Sequence, residues 1–323
     1  MKKMTVALLS GGVSPEREVS LNSGNQVEAA LNKDKYTVRR FDPAVDLGRL
    51  VAEADGIDVA LIILHGALGE DGTVQGLLDL LDIPYQGSGV LGSAVAMNKV
   101  LSKERYQQAG LPVPAHRVVR HGEAIRTDEW IDDIGLPLVV KPAACGSSIG
   151  MSIVREAADL PAALDTAFGH DDTVLVEAYI RGREITGAVI GNAELEALPL
   201  IEIIPTAGHD FFDYRAKYVA GETQEICPAP LEVRVTAEAQ RLAVMAHRAL
   251  CCDGYSRTDM ILAEEGFFLL ETNTIPGMTR TSLFPQAAAA AGLPFDRLLD
   301  RLIELGIQRH QRRKAHTGGQ SRG

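Results

Sequence analysis

The chain has little cysteine. Its four residues, at positions 145, 227, 251 and 252, include no C-x-x-C pair and no histidine spacing that suggests zinc. That excludes a disulfide scaffold and suits a reducing cytosol, so a cytoplasmic location is expected. No apolar run reaches the length needed to cross a bilayer. The apolar stretch at residues 5–9 is too short for a secretory leader, and Pro15-Glu16-Arg17-Glu18 stands where a small-residue cleavage site should lie. A membrane partner is therefore not expected. Basic charge is scarce as well: 32 Lys and Arg face 43 Asp and Glu, a net charge of −11. An acidic body argues against nucleic acid as partner, because phosphate binding rests on clustered Lys and Arg. The C-terminal end is the exception, with Arg309, Arg312, Arg313, Lys314 and Arg322 and no acid among them. It shows no apolar periodicity, so residues 311–323 read as a disordered basic tail. There is no internal repeat and no GK[ST] phosphate loop.

What is present is an ordinary globular composition, 46% hydrophobic and 23% charged, over 323 residues. That length suggests two or three domains. Residues 5–9 form an apolar strand ending at Gly11-Gly12, and helical spacing follows over 21–31. A second buried run, 59–64, precedes a helix over 73–81 that stops before Pro84. This βαβα rhythm predicts an α/β unit with a parallel sheet covered by helices. A long helix is expected over 89–108, closed by Gly110 and Pro112. The centre reads as α+β, with strands at 138–141, 149–154 and 174–180 and a helix between. Strands at 185–190 and 198–204, a helix at 236–252, strands at 256–263 and 267–273 and a helical segment at 284–305 complete the pattern. Residues 205–230 lack periodicity, yet Phe211, Phe212, Tyr214 and Tyr218 fall within eight residues. Long loops in compact domains are often lids, and this one is expected to be one.

The densest chemistry lies at 256–273. A hairpin with a three-residue loop ending in a left-handed Gly266 sets Ala263 opposite Phe267, Asp259 opposite Glu271 and Arg257 opposite Asn273. All four polar side chains then share one face. Opposed carboxylates repel, so something must offset them. Either a hard divalent cation sits there, bound by Asp, Glu and Asn oxygens, or Arg257 alone neutralises the pair on a solvated face. The following Pro276-Gly277 turn would leave the Gly277 N–H pointing into the site, where with Arg257 it could hold a developing oxyanion.

Lys141 ends a strand just before the flexible Gly146-Ser147-Ser148, a pairing that suits phosphate oxygens. Lys99 lies in the long helix, where a lone lysine is more often at the surface. The literal G-x-G-x-x-G at Gly87-Ser88-Gly89-Val90-Leu91-Gly92 is rejected as a dinucleotide fingerprint. It falls too late in the chain, and the next strand ends in Arg120-His121 rather than an acid. Glu16 and His65 both follow strands at the edge where open α/β sheets bind ligands.

These residues resemble the D-alanine–D-alanine ligases of the ATP-grasp superfamily from about Thr5 to Leu305. Five segments carry the resemblance: 16–20 (EREVS), 65–76 (HGALGEDGTVQG), 146–150 (GSSIG), 214–218 (YRAKY), and Arg257-x-Asp259 with Glu271-x-Asn273-x-x-Pro276-Gly277. The resemblance implies three domains, at 1–98, 99–181 and 182–310, with ATP between the second and third. It implies that Lys99 and Lys141 contact phosphates, that Glu177, Ala178, Tyr179 and Ile180 read adenine, and that Glu184 holds the ribose. Asp259, Glu271 and Asn273 would bind Mg²⁺, for which Mn²⁺ could substitute; a monovalent-cation activator is left open. Glu16, beside His65, would hold the first D-alanine, with Ser147 and Tyr218 linked to Glu16 and Lys217 near the γ-phosphate. Ser282 and Leu283 would receive the carboxylate of the second D-alanine.

The implied reaction forms an acyl phosphate on the first D-alanine, then a tetrahedral intermediate held by Arg257 and the Gly277 amide. The implied assembly is a homodimer. Thr258 and Thr272 depart from the family's usual aliphatic residues, and Ala178 removes a side chain sometimes found beside adenine. Two rival readings turn on single residues. A D-alanine–D-lactate ligase would replace the lid tyrosine, and Tyr218 is present. A non-catalytic nucleotide-binding regulator would lack one of Lys141, Arg257, Asp259, Glu271 or Asn273, and none is missing.

Overall fold

The computed structural model describes residues 3–123, 127–205 and 223–318. The expected parallel sheet is formed by β1 (Met4–Ser10), β2 (Tyr36–Phe41) and β3 (Val59–Ile63) in the order β2-β1-β3. β3 is buried at every position, and Val6 to Leu9 of β1 are fully buried, because helices cover both faces. α1 (Arg17–Ala30), α2 (Leu47–Ala52) and α3 (Thr73–Leu80) follow the three strands in turn. This brings the loops after β1 and β3 to one sheet edge, where Glu16 and His65 stand.

The expected helix over 89–108 is instead two, α4 (Val90–Met97) and α5 (Lys99–Gln108). Asn98 takes extended backbone between them, and its side chain accepts from the N–H groups of Val100 and Leu101. It is the N-cap of a new helix, which an apolar-periodicity reading passes over. The Lys99 N–H donates to the Ala143 carbonyl at 2.8 Å, tying the start of α5 to the central sheet.

That sheet is antiparallel: β4 (His116–Arg120), β7 (Thr173–Ala178), β5 (Leu138–Pro142) and β6 (Ser152–Val154), backed by α6 (Thr127–Ile134) and α7 (Leu160–Phe168). β6 starts later than expected, because residues 146–150 fold as a tight loop in which Ser147 and Ser148 have φ of 52° and 58°. A third sheet contains β8 (Arg183–Gly191), β9 (Leu195–Ala197), β10 (Ile201–Pro205), β11 (Thr223–Ile226), β12 (Gly254–Ala263) and β13 (Gly266–Asn273). Strand β11 corrects the expectation of a structureless span over 205–230, since its residues pair antiparallel with β10. The aromatic part of the expected lid lies outside the described residues.

α8 (Val233–Ala249) packs on β8 and β12, followed by α9 (Leu283–Ala290) and α10 (Phe295–Gly318). α10 returns to the first sheet, where Leu298, Leu299, Leu302 and Ile303 share a core with Val6, Leu8, Leu61 and Ile63. Residues 311–318 continue this helix rather than forming a disordered tail. Their charges are matched by acids on the body: Arg312 pairs with Asp253 at 2.9 Å, Arg313 with Asp79 at 2.5 Å, and Lys314 with Asp82. Just before them, Arg309 is buried with its guanidinium 4.1 Å above the Tyr85 ring. Among the described residues, no helix is long and apolar enough to cross a membrane.

Candidate active site

The β12–β13 hairpin carries the site, and its register is informative. Ala263 pairs with Gly266 across a two-residue turn, not with Phe267 across three. A bulge then inserts Leu270 between the Met260–Leu269 and Asp259–Glu271 pairs. The two differences cancel, so Asp259 faces Glu271 and Arg257 faces Asn273 as expected.

Arg257 and Asp259 are 9% and 5% exposed, while Glu271 and Asn273 are only partly buried and border the clefts described below. Arg257 grips Asp259 through two bonds, Nε to Oδ1 at 2.9 Å and Nη2 to Oδ2 at 2.8 Å. Thr186 Oγ1 donates to Asp259 Oδ1 at 2.7 Å, and Asn273 Nδ2 to Oδ2 at 3.2 Å. Across the hairpin, Lys99 Nζ lies 3.4 Å from Glu271 Oε2. Lys99 is thus buried at the site rather than at the surface, and it also donates to the Cys145 carbonyl at 2.6 Å.

Two clefts meet on this face. One, of about 370 Å³, opens between the central and third sheets. Lys99, Lys141, Asp259 and Glu271 line it, as do Ala178 at the end of β7, Tyr179 and Ile180 in the segment that follows, and Glu184 on β8. The second, of about 430 Å³, holds Glu16, His65, Ser147, Arg257, Asn273 and Gly277, with Ser282 and Leu283 at the start of α9. The first-turn N–H groups of a helix have no partner within it, so this end offers donors to an anion.

The left-handed Ser147 reaches back to the first domain and donates from Oγ to Glu16 Oε1 at 2.5 Å. Glu16 itself is 5% exposed. A Cβ on Gly146 would come within 3.5 Å of Glu16 Oε2, so the loop lies directly over this carboxylate. His65 is buried with Nδ1 3.9 Å from Glu70 Oε1. Burial acts to lower the His65 pKa, but the Glu70 carboxylate, with Glu16 beyond it, raises it above the ordinary histidine value.

Glu177 shows a feature the sequence reading missed. Its carboxylate is buried and bonded by Lys141 at one oxygen, while Lys103 Nζ lies 2.7 Å from the other. Burial opposes its charge, yet the two ammonium groups hold its pKa at about 2. Lys103 was not singled out, although its position one turn after Lys99 puts both lysines on one helix face. Glu70 and Glu225, which also line the second cleft, were likewise unassigned. Tyr218 and Lys217 lie outside the described residues. The glycines of the rejected fingerprint serve packing: a Cβ on Gly87 would meet the Tyr255 ring at 3.1 Å, and one on Gly92 the Cys251 carbonyl oxygen at 2.5 Å.

The chain is similar to known proteins over nearly its whole length. Family models described as the D-ala D-ala ligase N-terminus and C-terminus match residues 45–88 and 105–304. A D-alanine–D-alanine ligase of Syntrophobacter fumaroxidans is 62% identical over 95% of this chain and 99% of its own length. That of Desulfotalea psychrophila is 52% identical over 97% and 98%. Among solved structures, the Bacillus anthracis D-alanine–D-alanine ligase complexed with ATP superposes with a TM-score of 0.85. It is 35% identical and the match covers 96% of this chain and 99% of that one. The VanG D-Ala:D-Ser ligase of Enterococcus faecalis gives 0.81 at 32% identity, over 94% and 100%. With its paired carboxylates, its two adjoining clefts and these relatives, the chain belongs to the D-alanine–D-alanine ligase family.

Proposed function

We propose that this enzyme joins two D-alanine molecules into D-alanyl-D-alanine with ATP as the driving substrate, releasing ADP and phosphate for peptidoglycan precursor synthesis. The observation that carries this reading is the shared border of the two clefts. Ser148, Asp259 and Glu271 line the first, while Ser147, Arg257 and Asn273, each one or two residues away, line the second. A phosphoryl group at the end of one cleft therefore meets a carboxylate held in the other.

On this reading ATP lies in the first cleft, with Glu177 to Ile180 along adenine, Glu184 at the ribose and Lys99 and Lys141 at the phosphates. Glu16 holds the ammonium of the first D-alanine, with His65 beside it, and Ser147 fixes the Glu16 carboxylate. Tyr218 and Lys217, which lie outside the described residues, would on this reading act with Glu16 and with the γ-phosphate respectively. The D-alanine carboxylate attacks the γ-phosphorus to give an acyl phosphate and ADP. The neutral amine of the second D-alanine, seated by its carboxylate on Ser282 and the Leu283 N–H, then attacks the acyl carbon. Arg257 and the Gly277 N–H stabilise the oxyanion, and phosphate leaves. A closed lid keeps out water that would hydrolyse the acyl phosphate.

Asp259, Glu271 and Asn273 fit a hard cation. Asp259 and Glu271 stand directly opposite on the ladder, with Asn273 bonded to Asp259, so three oxygen-bearing side chains converge at one place on the face. The three side chains supply the oxygen donors that Mg²⁺ prefers, with Mn²⁺ able to replace it. Bound there, the ion would neutralise charge on the phosphates. A cytoplasmic homodimer with domains at 1–98, 99–181 and 182–310 completes the proposal.

The test is to incubate the purified protein with Mg·ATP and D-alanine and to follow phosphate and dipeptide together, the dipeptide by mass spectrometry. Dipeptide formed in step with phosphate, and absent with L-alanine, is expected. Phosphate without dipeptide would point to a different acceptor, for which D-lactate and D-serine are the first to try. No turnover at all would sink the reading.

A further inference from the structure

We infer that Lys103 is a positioning residue for nucleotide binding, acting through Glu177 on Lys141. This inference rests on the first cleft being the ATP site. Lys103 is fully buried and does not line that cleft, whereas Glu177 and Lys141 do. A buried ammonium is costly unless paired, and nothing in the family reaction as set out above requires one at this position.

The geometry shows what it does there. β5 and β7 pair with Val139 opposite Glu177 and Lys141 opposite Leu175, so Lys141 and Glu177 are diagonal neighbours on adjacent strands. Long side chains at such positions can meet. Lys141 donates to Oε1 of Glu177, and Lys103 Nζ, arriving from α5, lies 2.7 Å from Oε2 as an ion pair. With a cation at each oxygen from a different element, the carboxylate is restrained, and with it Lys141 at the cleft wall.

Burial lowers the Lys103 pKa and Glu177 raises it, with Lys141 lowering it again, so the ammonium depends chiefly on this carboxylate. Remove Lys103 and Glu177 has Lys141 as its principal ammonium partner, drawing Lys141 toward the carboxylate and away from the phosphates. Lys103 touches no nucleotide on this reading; its effect reaches ATP only through the other two residues.

The experiment compares four full-length proteins: unaltered, Lys103→Met, Glu177→Gln and the double variant. Mg·ADP binding is measured by calorimetry, and KM for ATP and for D-alanine by steady-state kinetics. Lys103→Met is expected to weaken ADP binding and raise KM for ATP by about tenfold while leaving KM for D-alanine within twofold. A merely structural role would not separate the two substrates in this way. The double variant is expected to bind ADP no more weakly than Glu177→Gln alone, because the carboxylate through which Lys103 acts is gone. Should Lys103→Met fail to fold, that last comparison decides the matter by itself. Additive losses in the double variant, or equal rises in both KM values, overturn the inference while the unaltered protein still binds ADP. Failure of the unaltered protein to bind Mg·ADP would instead overturn the nucleotide reading, and this inference with it.

Discussion

Replacing Ser147 with alanine tests the link between the glycine-rich loop and the Glu16 carboxylate. Ser147 sits at φ 52°, and alanine has the same Cβ, so the backbone strain is unchanged and only the hydroxyl is lost. That hydroxyl donates to a buried carboxylate at 2.5 Å. A hydrogen bond to a charged group contributes about 1.5–3 kcal/mol, which corresponds to roughly a 10–150-fold change. Glu16 keeps its other interactions, so the lower part of that range is expected. In a coupled ADP-release assay, kcat/KM for D-alanine should fall about 10–50-fold while KM for ATP stays nearly constant. Ser147→Gly is the companion variant, because it removes the hydroxyl and also relieves the positive φ. It should lose the same activity and gain thermal stability. A loss of less than threefold in Ser147→Ala, or one carried by KM for ATP, would refute the argument that this bond holds Glu16 in place.

Asp259→Asn removes one of the two facing carboxylates, so its activity should fall at least about 100-fold and demand more Mg²⁺ for half-saturation, read from a magnesium titration. Chelation of divalent ions should abolish turnover of the unaltered enzyme, with Mn²⁺ restoring it. The raised pKa of His65 means that its stabilising interaction with Glu70 is fully present below the ordinary value of 6.5. That stability is lost as pH rises through the higher folded-state value. Chemical denaturation of His65→Gln should therefore show a flatter pH dependence above 6.5 than the unaltered protein, and identical slopes would count against it. Truncation before Arg309 removes a buried guanidinium stacked on Tyr85, worth about 2 kcal/mol when desolvated, so Tm should drop by at least about 3 °C by calorimetry.

The parallel sheet was legible because its strands are buried on both faces and read as unbroken apolar runs. Asp259, Glu271, Arg257 and Asn273 were legible because a strand's period of two fixes which side chains share a face. Other features depend on contacts distant in the sequence. Lys103 reads as a polar residue on a polar helix, and only the packing of α5 on β13 and α8 buries it, with its ammonium 2.7 Å from Glu177. The break at Asn98 turns on one capping side chain inside a stretch whose periodicity is continuous. Residues 311–318 are helical because Asp79, Asp82 and Asp253 supply the charges that the segment itself lacks. Composition alone made that segment look like a solvated tail.

The bulge at Leu270 has a consequence for how this hairpin can vary. It works as a phase correction: the tip and the root of the ladder are out of step by one residue, and the slip is absorbed before it reaches Asp259. The turn at Glu264-Glu265 and the bulge therefore set the register of the root together. Deleting Leu270 alone would leave the partners as they are: Met260–Leu269 and Asp259–Glu271 would become successive pairs of a regular ladder, and what is lost is the local twist that the bulge adds. One unpaired residue near mid-strand thus shapes the twist of the hairpin without choosing which carboxylates meet.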